Sequence, residues 1–361
     1  MTIRTASSTG VQPISFYRPA TGTAPKATAS FPAQNHYFKA NTTCVAGDAS
    51  DTMLLRKPIP NYAGVKLEPG TMCRVLKRKA AWHNVETYGT KRRKGWVSVT
   101  SDHELIKQPN VPRCDRNRIE YGQVNGKAFV GAPKMEDINQ GWLGDCWLIG
   151  GLAAVAQAAP QYLKNGIKKG VVKGEYTVDL HNFGQNGHYY GPESIKIDNW
   201  YPVIDDHVLY AQGSKKGGPK FRVSKFENGA RPLWPAIIEK AMAQMKGGYD
   251  KLDEGGTAKD VFQALTGLRA EETLMGRPGS SQNQKALAEI RRGLAGDLPV
   301  AASTKGRPVV PGICDNHVYV VVGMNATHVV LRNPHDTTKV HRIELKQFCR
   351  AFEDVTVCCE E

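Results

Sequence analysis

One cysteine, Cys146, lies where a glycine-rich polar turn gives way to an apolar helix, in the stretch QGWLGDCWLIGGLAAVAQ (residues 140–157). A cysteine acts as a nucleophile only as its thiolate, and the unsatisfied amides at a helix N-terminus stabilise that negative charge. Gly141 and Gly144 permit a tight turn, and Asp145 is of a residue type that favours a helix N-terminus. The local pattern therefore predicts a nucleophilic thiol or, equally, a cysteine that packs behind an ordinary aspartate cap.

Three further polar residues could complete an acyl-transfer site. Gln140 could return its side-chain amide to the backbone N–H of Cys146 and form an oxyanion hole with it. His317 begins the apolar run HVYVVVG, where a polar side chain gains nothing from packing, and it is the candidate base. Asn333 ends the next run, HVVLRN, so a hairpin would place its carbonyl against the imidazole and fix the tautomer. Each residue alone has an ordinary structural explanation, but the four together predict nucleophilic catalysis.

The elements that must position these residues can be read from periodicity and end signals. Helical spacing predicts helices over residues 146–158, 234–246, 255–267 and 284–294, with Thr257 as the cap of the third. Pro235 suits a first helical turn, and Gly247 with Gly248 ends that helix. Period-two runs predict strands over residues 317–323 and 328–333. Helices before strands indicate an α+β fold with segregated halves.

The first 125 residues differ in composition from the rest. Residues 1–40 contain no acidic residue and are rich in Thr, Ala, Ser and Pro, which predicts a disordered or loosely ordered arm. Short alternating runs over residues 41–101 predict a small all-β barrel, and their order resembles bacterial Src-homology-3-like modules, which bind peptides or cell wall. Residues 102–125 are charged and contain two prolines, so we expect a linker before a core over residues 126–361.

The net charge of +14 is concentrated near the N-terminus. Residues 1–120 contain 19 Lys and Arg against 8 Asp and Glu, a surplus of +11, and KRRK (residues 91–94) is the densest cluster. That cluster would suit an acidic partner or form a solvated hairpin tip. No zinc-finger spacing, RNA-binding motif or P-loop accompanies it, so we expect no nucleic-acid partner. No run of 18 apolar residues is present, so we expect no membrane span.

The eight cysteines and the opening residues bear on the compartment. None of the cysteines forms a CxxC pair, so a zinc ribbon is not expected, and a chain of 361 residues does not need disulfides to fold. The opening residues lack the apolar run of a secretory signal peptide. We therefore expect a cytoplasmic protein, or one exported by a dedicated secretion system without a signal peptide.

Several ordered blocks of the sequence resemble the calpain family of papain-like cysteine proteases. These blocks, spread over residues 126–350, are QGWLGDCW, VIDD, LWPAIIEKAMAQMKGGYDKL, GGTAKDVFQALTG, HVYVVVG and LRNP. The resemblance implies a two-lobed papain-like core in which a helical lobe faces a β lobe across a cleft. It also implies endopeptidase activity, with Cys146 as nucleophile, His317 as base and then acid, Asn333 as orienter and Gln140 in the oxyanion hole. Trp147 would pack beneath this site.

The sequence departs from the family pattern at two places. His335 and Asp336 stand where the family has a tryptophan that shields the His–Asn pair, followed by glycine. Asp137 matches one calcium-ligand position of the family, but Pro232 and Lys339 stand at two other acidic positions. Calcium needs several carboxylate and carbonyl oxygens together. We therefore expect no metal, no cofactor and calcium-independent catalysis.

The favoured hypothesis is a calpain-like cysteine endopeptidase that hydrolyses protein or peptide substrates, in which case it could be a bacterial secreted effector or toxin. One alternative is a catalytically inactive protease-fold protein that binds through its barrel module and the KRRK cluster. Another is a transglutaminase-like amide transferase, although that chemistry usually pairs the histidine with aspartate rather than with an asparagine such as Asn333. An inhibitory, immunity or chaperone protein could restrain the enzyme, and a monomer is assumed.

Overall fold

The computed structural model describes residues 119–360, apart from 172–173, 185–186, 205, 212–220, 278 and 307–309. Before residue 119 it describes residues 108, 109 and 111 and seven strands. These strands are β1 (His36–Ala40), β2 (Cys44–Ala46), β3 (Val65–Leu67), β4 (Met72–Lys79), β5 (Trp82–Thr87), β6 (Lys94–Ser98) and β7 (His103–Lys107).

The seven N-terminal strands form two antiparallel sheets. One sheet has the order β6-β5-β4-β1-β7, and the other pairs β2 with β3. Among the described residues neither sheet closes into a barrel, so the predicted Src-homology-3-like barrel is not confirmed. Strand β1 lies within the segment predicted as an arm and β7 within the predicted linker. The rest of the arm and most of KRRK lie outside the described residues.

The helices of the described core include all four that the sequence predicts. They are α1 (Cys146–Ala158), α2 (Pro160–Gly166), α3 (Val223–Glu227), α4 (Trp234–Lys246), α5 (Tyr249–Leu252), α6 (Ala258–Thr266), α7 (Ser281–Ala295) and α8 (Leu345–Ala351), with a 3₁₀ turn at Met135–Asp137. Helix α7 begins earlier than predicted because the Ser280 hydroxyl accepts from the Asn283 N–H and caps it. None of the helices in the described part has both the length and the apolar character needed to span a membrane.

The caps of α4 and α6 explain why these helices were readable from the sequence. The Thr257 hydroxyl accepts from the Asp260 N–H at 3.1 Å, and the Asp260 carboxylate accepts from the Thr257 N–H at 3.3 Å. This reciprocal pair is a capping box. Gly247 after α4 and Gly267 after α6 adopt φ of 99° and 74°, the left-handed conformation that ends a helix at little cost for glycine.

The core strands make three antiparallel sheets. They are β8 (Glu120–Gln123), β9 (Ile167–Lys169), β10 (Tyr176–Phe183), β11 (Tyr189–Ile197), β12 (Trp200–Ile204), β13 (His207–Val208), β14 (Phe221–Arg222), β15 (Ala270–Leu274), β16 (Val300–Thr304), β17 (Val318–Met324), β18 (His328–Asn333), β19 (Asp336–Glu344) and β20 (Phe352–Cys358). The sheet orders are β11-β10-β9, β14-β13-β12-β8 and β15-β20-β16-β17-β18-β19. Strand β8 lies in the predicted linker, where it pairs with β12 and buries Tyr121.

Helix α1 packs between α6 and the six-stranded sheet. A Cβ atom at Gly150 would lie 2.9 Å from Val318 Cγ1, and one at Gly151 would lie 2.7 Å from Val261 Cβ. Glycine weakens a helix by about 1 kcal/mol relative to alanine, so these two residues serve close packing rather than helix formation. They allow the helix that begins at Cys146 to contact the strand that follows His317. The mixture of helices and antiparallel sheets is compatible with the α+β class, whereas the two papain-like lobes stay a prediction.

Candidate active site

The thiol of Cys146 lies at the first residue of α1 and faces the segment before β17. Its side chain is half-buried, and Sγ lies 3.8 Å from the carbonyl oxygen of Asn316, to which the thiol can donate. Asn316 has φ of 43°, a left-handed conformation that few non-glycine residues other than Asn and Asp adopt. This backbone conformation brings the residue directly before His317 against the sulfur.

The predicted capping role of Asp145 is only partly right. Asp145 occupies the N-cap position, and its carbonyl oxygen accepts from the N–H groups of Leu148 and Ile149 at 2.9 and 3.0 Å. Its side chain makes no capping hydrogen bond. Because the side chain is fully buried, it turns inward to Glu239 of α4, and the first-turn amides stay uncapped by the carboxylate.

His317 and Asn333 meet as the hairpin prediction requires. Strands β17 and β18 pair antiparallel, and His317 Nε2 lies 2.8 Å from Asn333 Oδ1. The backbone N–H of His335 also donates to Asn333 Oδ1, at 2.9 Å. A backbone N–H can only donate, so this bond fixes which end of the amide is oxygen. The oxygen must then accept from Nε2–H of His317, which leaves Nδ1 as the ring nitrogen with the lone pair.

The backbone of His317 is held by Thr304 of β16. The His317 N–H donates to Thr304 Oγ1 at 3.0 Å, and its carbonyl oxygen accepts from the Thr304 N–H at 2.8 Å. The His317 ring lies edge-on to Tyr319, with 5.2 Å between ring centroids, and the residue is only 5% exposed. The backbone of His317, directly before β17, is thus fixed to β16 by both its N–H and its carbonyl oxygen.

Two neighbours of Asn333 were not assigned a role from the sequence. The His335 ring stacks on the His317 ring, with 4.7 Å between centroids and 9° between planes. Cys314, an exposed free thiol, accepts from Asn333 Nδ2 at 3.9 Å. The short separations from Asn333 and His317 were the available signal, but only the turn and hairpin geometry brings these side chains onto them.

Gln140 lies on the same turn as Cys146 and is tied to the segment after Asn333. Its N–H donates to the Pro334 carbonyl at 2.9 Å, and Nε2 donates to the Leu143 carbonyl at 2.9 Å. The side chain is 1% exposed, and Oε1 has no hydrogen-bond partner within the described ranges. One Nε2 hydrogen is therefore used to fix the amide, and the other can be donated to a second acceptor.

Trp147 lies beneath the turn. It is 3% exposed, and its Nε1 donates to the Leu252 carbonyl at 3.1 Å. A Cβ at Gly256 would lie 2.6 Å from the Trp147 ring, so a glycine is required where the loop before α6 crosses it. The indole thus joins the start of α1 to the loop between α5 and α6.

Asp137 contacts N–H groups and a guanidinium through two of its oxygen atoms. Its Oδ2 accepts from Trp234 Nε1 at 2.9 Å and from the Lys134 N–H at 3.2 Å, and its carbonyl oxygen accepts from Arg231 Nη2 at 2.7 Å. Calcium takes six to eight oxygen ligands, and here Oδ2 and the carbonyl oxygen of Asp137 already accept hydrogen bonds. In the described part of the chain no group of three or more His, Cys, Asp or Glu side chains could hold a metal ion.

Comparison with known proteins gives several relatives of one kind. A calpain-type cysteine protease of Oryza sativa subsp. japonica is 32% identical over 158 residues, which is 42% of this chain and 6% of that protein. A calpain of Schistosoma mansoni is 29% identical over 245 residues, 63% of this chain and 30% of that protein. Calpain-9 of Homo sapiens is 26% identical over 231 residues, with shares of 61% and 30%. The chain thus spans less than a third of each relative.

A solved structure of NlpC2 from Trichomonas vaginalis covers 89% of this chain and 96% of that chain at 11% identity, but its TM-score of 0.18 carries no argument about the fold. The sequence profile of the calpain family cysteine proteases matches residues 108–346, which include Gln140, Cys146, His317 and Asn333. Because this match covers more than half of the chain, the protein belongs to the calpain family of cysteine proteases.

Proposed function

We propose that this protein is a cysteine endopeptidase that hydrolyses peptide bonds through Cys146, His317 and Asn333, with Gln140 in the oxyanion hole. The observation that carries the proposal is the fixed Asn333 amide, which accepts from His317 Nε2 at 2.8 Å and from the His335 N–H at 2.9 Å. It holds the imidazole in the tautomer whose Nδ1 can take a thiol proton. Family membership supports proteins or peptides as substrates.

The reaction follows from these positions. Nδ1 of His317 takes the Cys146 proton, and the sulfur attacks the scissile carbonyl carbon, whose oxygen becomes an oxyanion. The Cys146 N–H and the second Nε2–H of Gln140 stabilise that charge. The C–N bond then breaks, His317 gives its proton to the leaving amine, and a thioester remains on Cys146. Water, deprotonated by His317, attacks the thioester, and collapse releases the carboxylic acid and restores the thiol.

Arg231 supports the part of the proposal that concerns calcium. Its guanidinium donates to the carbonyl of Asp137, three residues before Gln140, and so places a positive charge beside the one residue that matches a calcium-ligand position of the family. Burial lowers the pKa of Arg231 and the charge of Asp137 opposes that effect. We expect equal peptidase rates in EDTA and in calcium. A rate that rises with calcium in the wild type would remove this part of the proposal.

The first test is alkylation of the intact protein with limiting iodoacetamide near pH 6, followed by peptide mapping. Ordinary thiols are protonated at this pH, so a thiolate at Cys146 should be labelled first. Cys359 is the matched control because it is also a half-buried free thiol, but burial raises its pKa. Equal labelling of Cys146 and Cys359 would favour the catalytically inactive binding protein.

Activity of variants on denatured protein substrates tests the individual roles. Cys146→Ala and His317→Ala should both abolish turnover because the two residues act as a unit. Gln140→Ala should lower kcat by on the order of 10²–10³ if its amide stabilises the oxyanion. Asn333→Ala should cost less than His317→Ala. If wild type transfers acyl groups to added amines faster than to water, the transglutaminase-like alternative is favoured instead.

The N-terminal strands and basic residues support a second, separable part of the hypothesis. The surplus of +11 in residues 1–120 suits an acidic partner, and a strand-rich module ahead of a protease core suits partner binding in an exported effector. Expression of wild type in host cells should reduce growth, whereas Cys146→Ala should not. Equal growth of the two strains would remove the effector role and leave the peptidase proposal standing.

A further inference from the structure

Two imidazole rings lie face to face in this site. The centroids of His317 and His335 are 4.7 Å apart and the ring planes differ by 9°. His317 is buried and His335 is half-buried, so little water separates them. Neutral rings in this arrangement pack favourably, but two imidazolium ions would repel each other strongly at this distance. The stack therefore accepts one proton far more readily than two.

His335 is fixed in this position by the same bonds that fix Asn333. Its N–H donates to Asn333 Oδ1 at 2.9 Å. The preceding carbonyl, that of Pro334, accepts from the Gln140 N–H at 2.9 Å, and the Thr337 hydroxyl donates to the Ile138 carbonyl at 3.3 Å. The His335 backbone is thus held on both sides by the segment that leads to Cys146.

We propose that His335 is a positioning residue that ties its own protonation to that of His317. Neutral His335 covers the catalytic ring and holds its plane. Protonated His335 opposes the imidazolium that must form when Cys146 gives up its proton, and so shifts the pair back to neutral thiol and neutral imidazole. The inference rests on the proposed peptidase function, because it assigns a role to His335 in that reaction.

The other ionisable groups described around the stack do not cancel this repulsion. Tyr319 faces His317 edge-on, and burial raises its pKa, so it is neutral. Asp336 follows His335 in the chain, but its carboxylate is bound to the Thr338 hydroxyl at 2.5 Å and to Lys339 at 3.0 Å. Cys146 lies against the residue before His317, and in the state that protonated His335 favours its thiol is neutral, so it does not offset the repulsion.

The experiment compares the pH dependence of Cys146 alkylation in wild type, His335→Phe and His335→Arg. Phenylalanine keeps an aromatic cover without a proton, and arginine carries a permanent charge. Coulomb repulsion at this distance predicts that the acid limb of alkylation moves to lower pH by roughly one unit in His335→Phe. The alkaline limb should stay in place. His335→Arg should slow alkylation about tenfold at neutral pH.

His341→Phe is the matched control, because His341 lies on β19, the strand that follows His335, but its ring contacts Tyr319, with 5.9 Å between ring centroids. It should leave both limbs unchanged. A second readout avoids the sulfur altogether. In Cys146→Ala, the NMR ring signals of His317 should titrate roughly one pH unit higher with His335→Phe than with His335.

Identical acid limbs and identical His317 titrations in wild type and His335→Phe would overturn the inference. Neither readout requires peptide hydrolysis. Shifted profiles without any peptidase turnover would therefore support the coupling and refute the proposed function. Turnover with unshifted profiles would do the reverse.

Discussion

Two adjacent residues of α4, Glu239 and Lys240, each contact a buried carboxyl group, but one is an acid and the other is a base. Lys240 is fully buried and its Nζ binds Asp198 Oδ1 at 2.5 Å and the Trp200 carbonyl at 2.6 Å. Glu239, 1% exposed, faces Asp145 instead. One carboxylate is thus balanced by a cation and the other by a second carboxyl group. The buried charge of Asp198 is thus stabilised by a counterion, whereas the buried pair of Glu239 and Asp145 is stabilised by a shared proton.

The carboxyl pair requires that proton. Both oxygens of Asp145 and Oε1 of Glu239 lack a partner among the described residues unless one of the two groups is protonated. Burial raises the pKa of Asp145 to about 7, against a lowering by the bond from Glu239. Burial and the charge of Asp145 hold the pKa of Glu239 well above its usual range. Glu239 therefore carries the proton and donates it to Asp145, and the pair titrates as a unit.

The position of the pair gives it a consequence for the thiol. Asp145 immediately precedes Cys146, so a second negative charge there would oppose formation of the thiolate. A shared proton removes one of the two charges. The other buried carboxylate, Asp198, instead contacts the Lys240 ammonium at 2.5 Å. Burial lowers the pKa of Lys240, and the charge of Asp198 opposes that effect.

The largest effect is expected where the counterion is removed. Lys240→Met leaves Asp198 buried with only Gln108 Nε2 and the Trp200 N–H, and should lower the free energy of unfolding by about 3–5 kcal/mol. Urea denaturation at pH 7 measures it. Lys251→Met, which removes only an exposed pair with Glu254, should cause no measurable change. Equal stability of the two variants would mean that Lys240 does not stabilise the buried charge of Asp198.

A smaller effect is expected where the proton holder is removed. Glu239→Ala leaves Asp145 without its donor and should cost about 2–3 kcal/mol at pH 7. Glu239→Gln supplies an amide N–H that needs no titrating proton, so this variant should be at least as stable as wild type at pH 8. Thermal unfolding at pH 5 and pH 8 compares the two variants. If Glu239→Gln were as damaging as Glu239→Ala, the pair would not be joined by a hydrogen bond.

The pH dependence of wild-type stability distinguishes the carboxyl pair, which holds a proton, from the Lys240–Asp198 ion pair. A carboxyl pKa that is raised in the folded state means that the native protein binds the proton more tightly than the unfolded chain. Stability should therefore fall as pH rises from about 4 to about 7. Burial raises the pKa of Asp354 to about 6 and adds to the same slope, so Asp354→Asn is the background for the measurement. Stability that rises across this window would contradict a shared proton.

The smallest effect belongs to an exposed pair of the same composition as the buried one. Lys168 Nζ binds Asp179 Oδ2 at 2.5 Å, but the lysine side chain is 64% exposed. Lys168→Met should change the free energy of unfolding by less than about 0.5 kcal/mol. Urea denaturation of Lys168→Met beside Lys240→Met tests whether burial, rather than pairing, sets the size of the loss. A change as large as that of Lys240→Met would contradict this.

The parts of the fold that were predictable from the sequence rest on short-range signals. Helix α6 carries its own cap at Thr257 and its own stop at Gly267. The approach of His317 to Asn333 follows from a hairpin whose two strands are adjacent in the chain. In both cases the residues that determine the structure lie within about 20 positions of one another. Periodicity and turn residues are therefore enough to predict these elements.

The parts that were missed depend on contacts between distant segments. The sequence around Asp145 predicts an ordinary helix cap, because no nearby residue indicates a contact with Glu239, 94 positions later. Arg231 was not expected at Asp137, and the left-handed Asn316 has no marker such as glycine. His335 was noticed only as a departure from a family pattern, and its stack on His317 needs the turn after β18. Tertiary packing decides each of these cases.

Gly150 and Gly151 of α1 set how closely this helix packs against its neighbours on two sides. With no Cβ atoms there, the helix is thin enough for Val318 on one side and Val261 on the other. A methyl group at position 150 would lie 2.9 Å from Val318 Cγ1, too close for both to stay in place, and Val318 directly follows His317. A substitution at position 150 would therefore change the spacing between the start of α1 and the segment of His317 from inside the core.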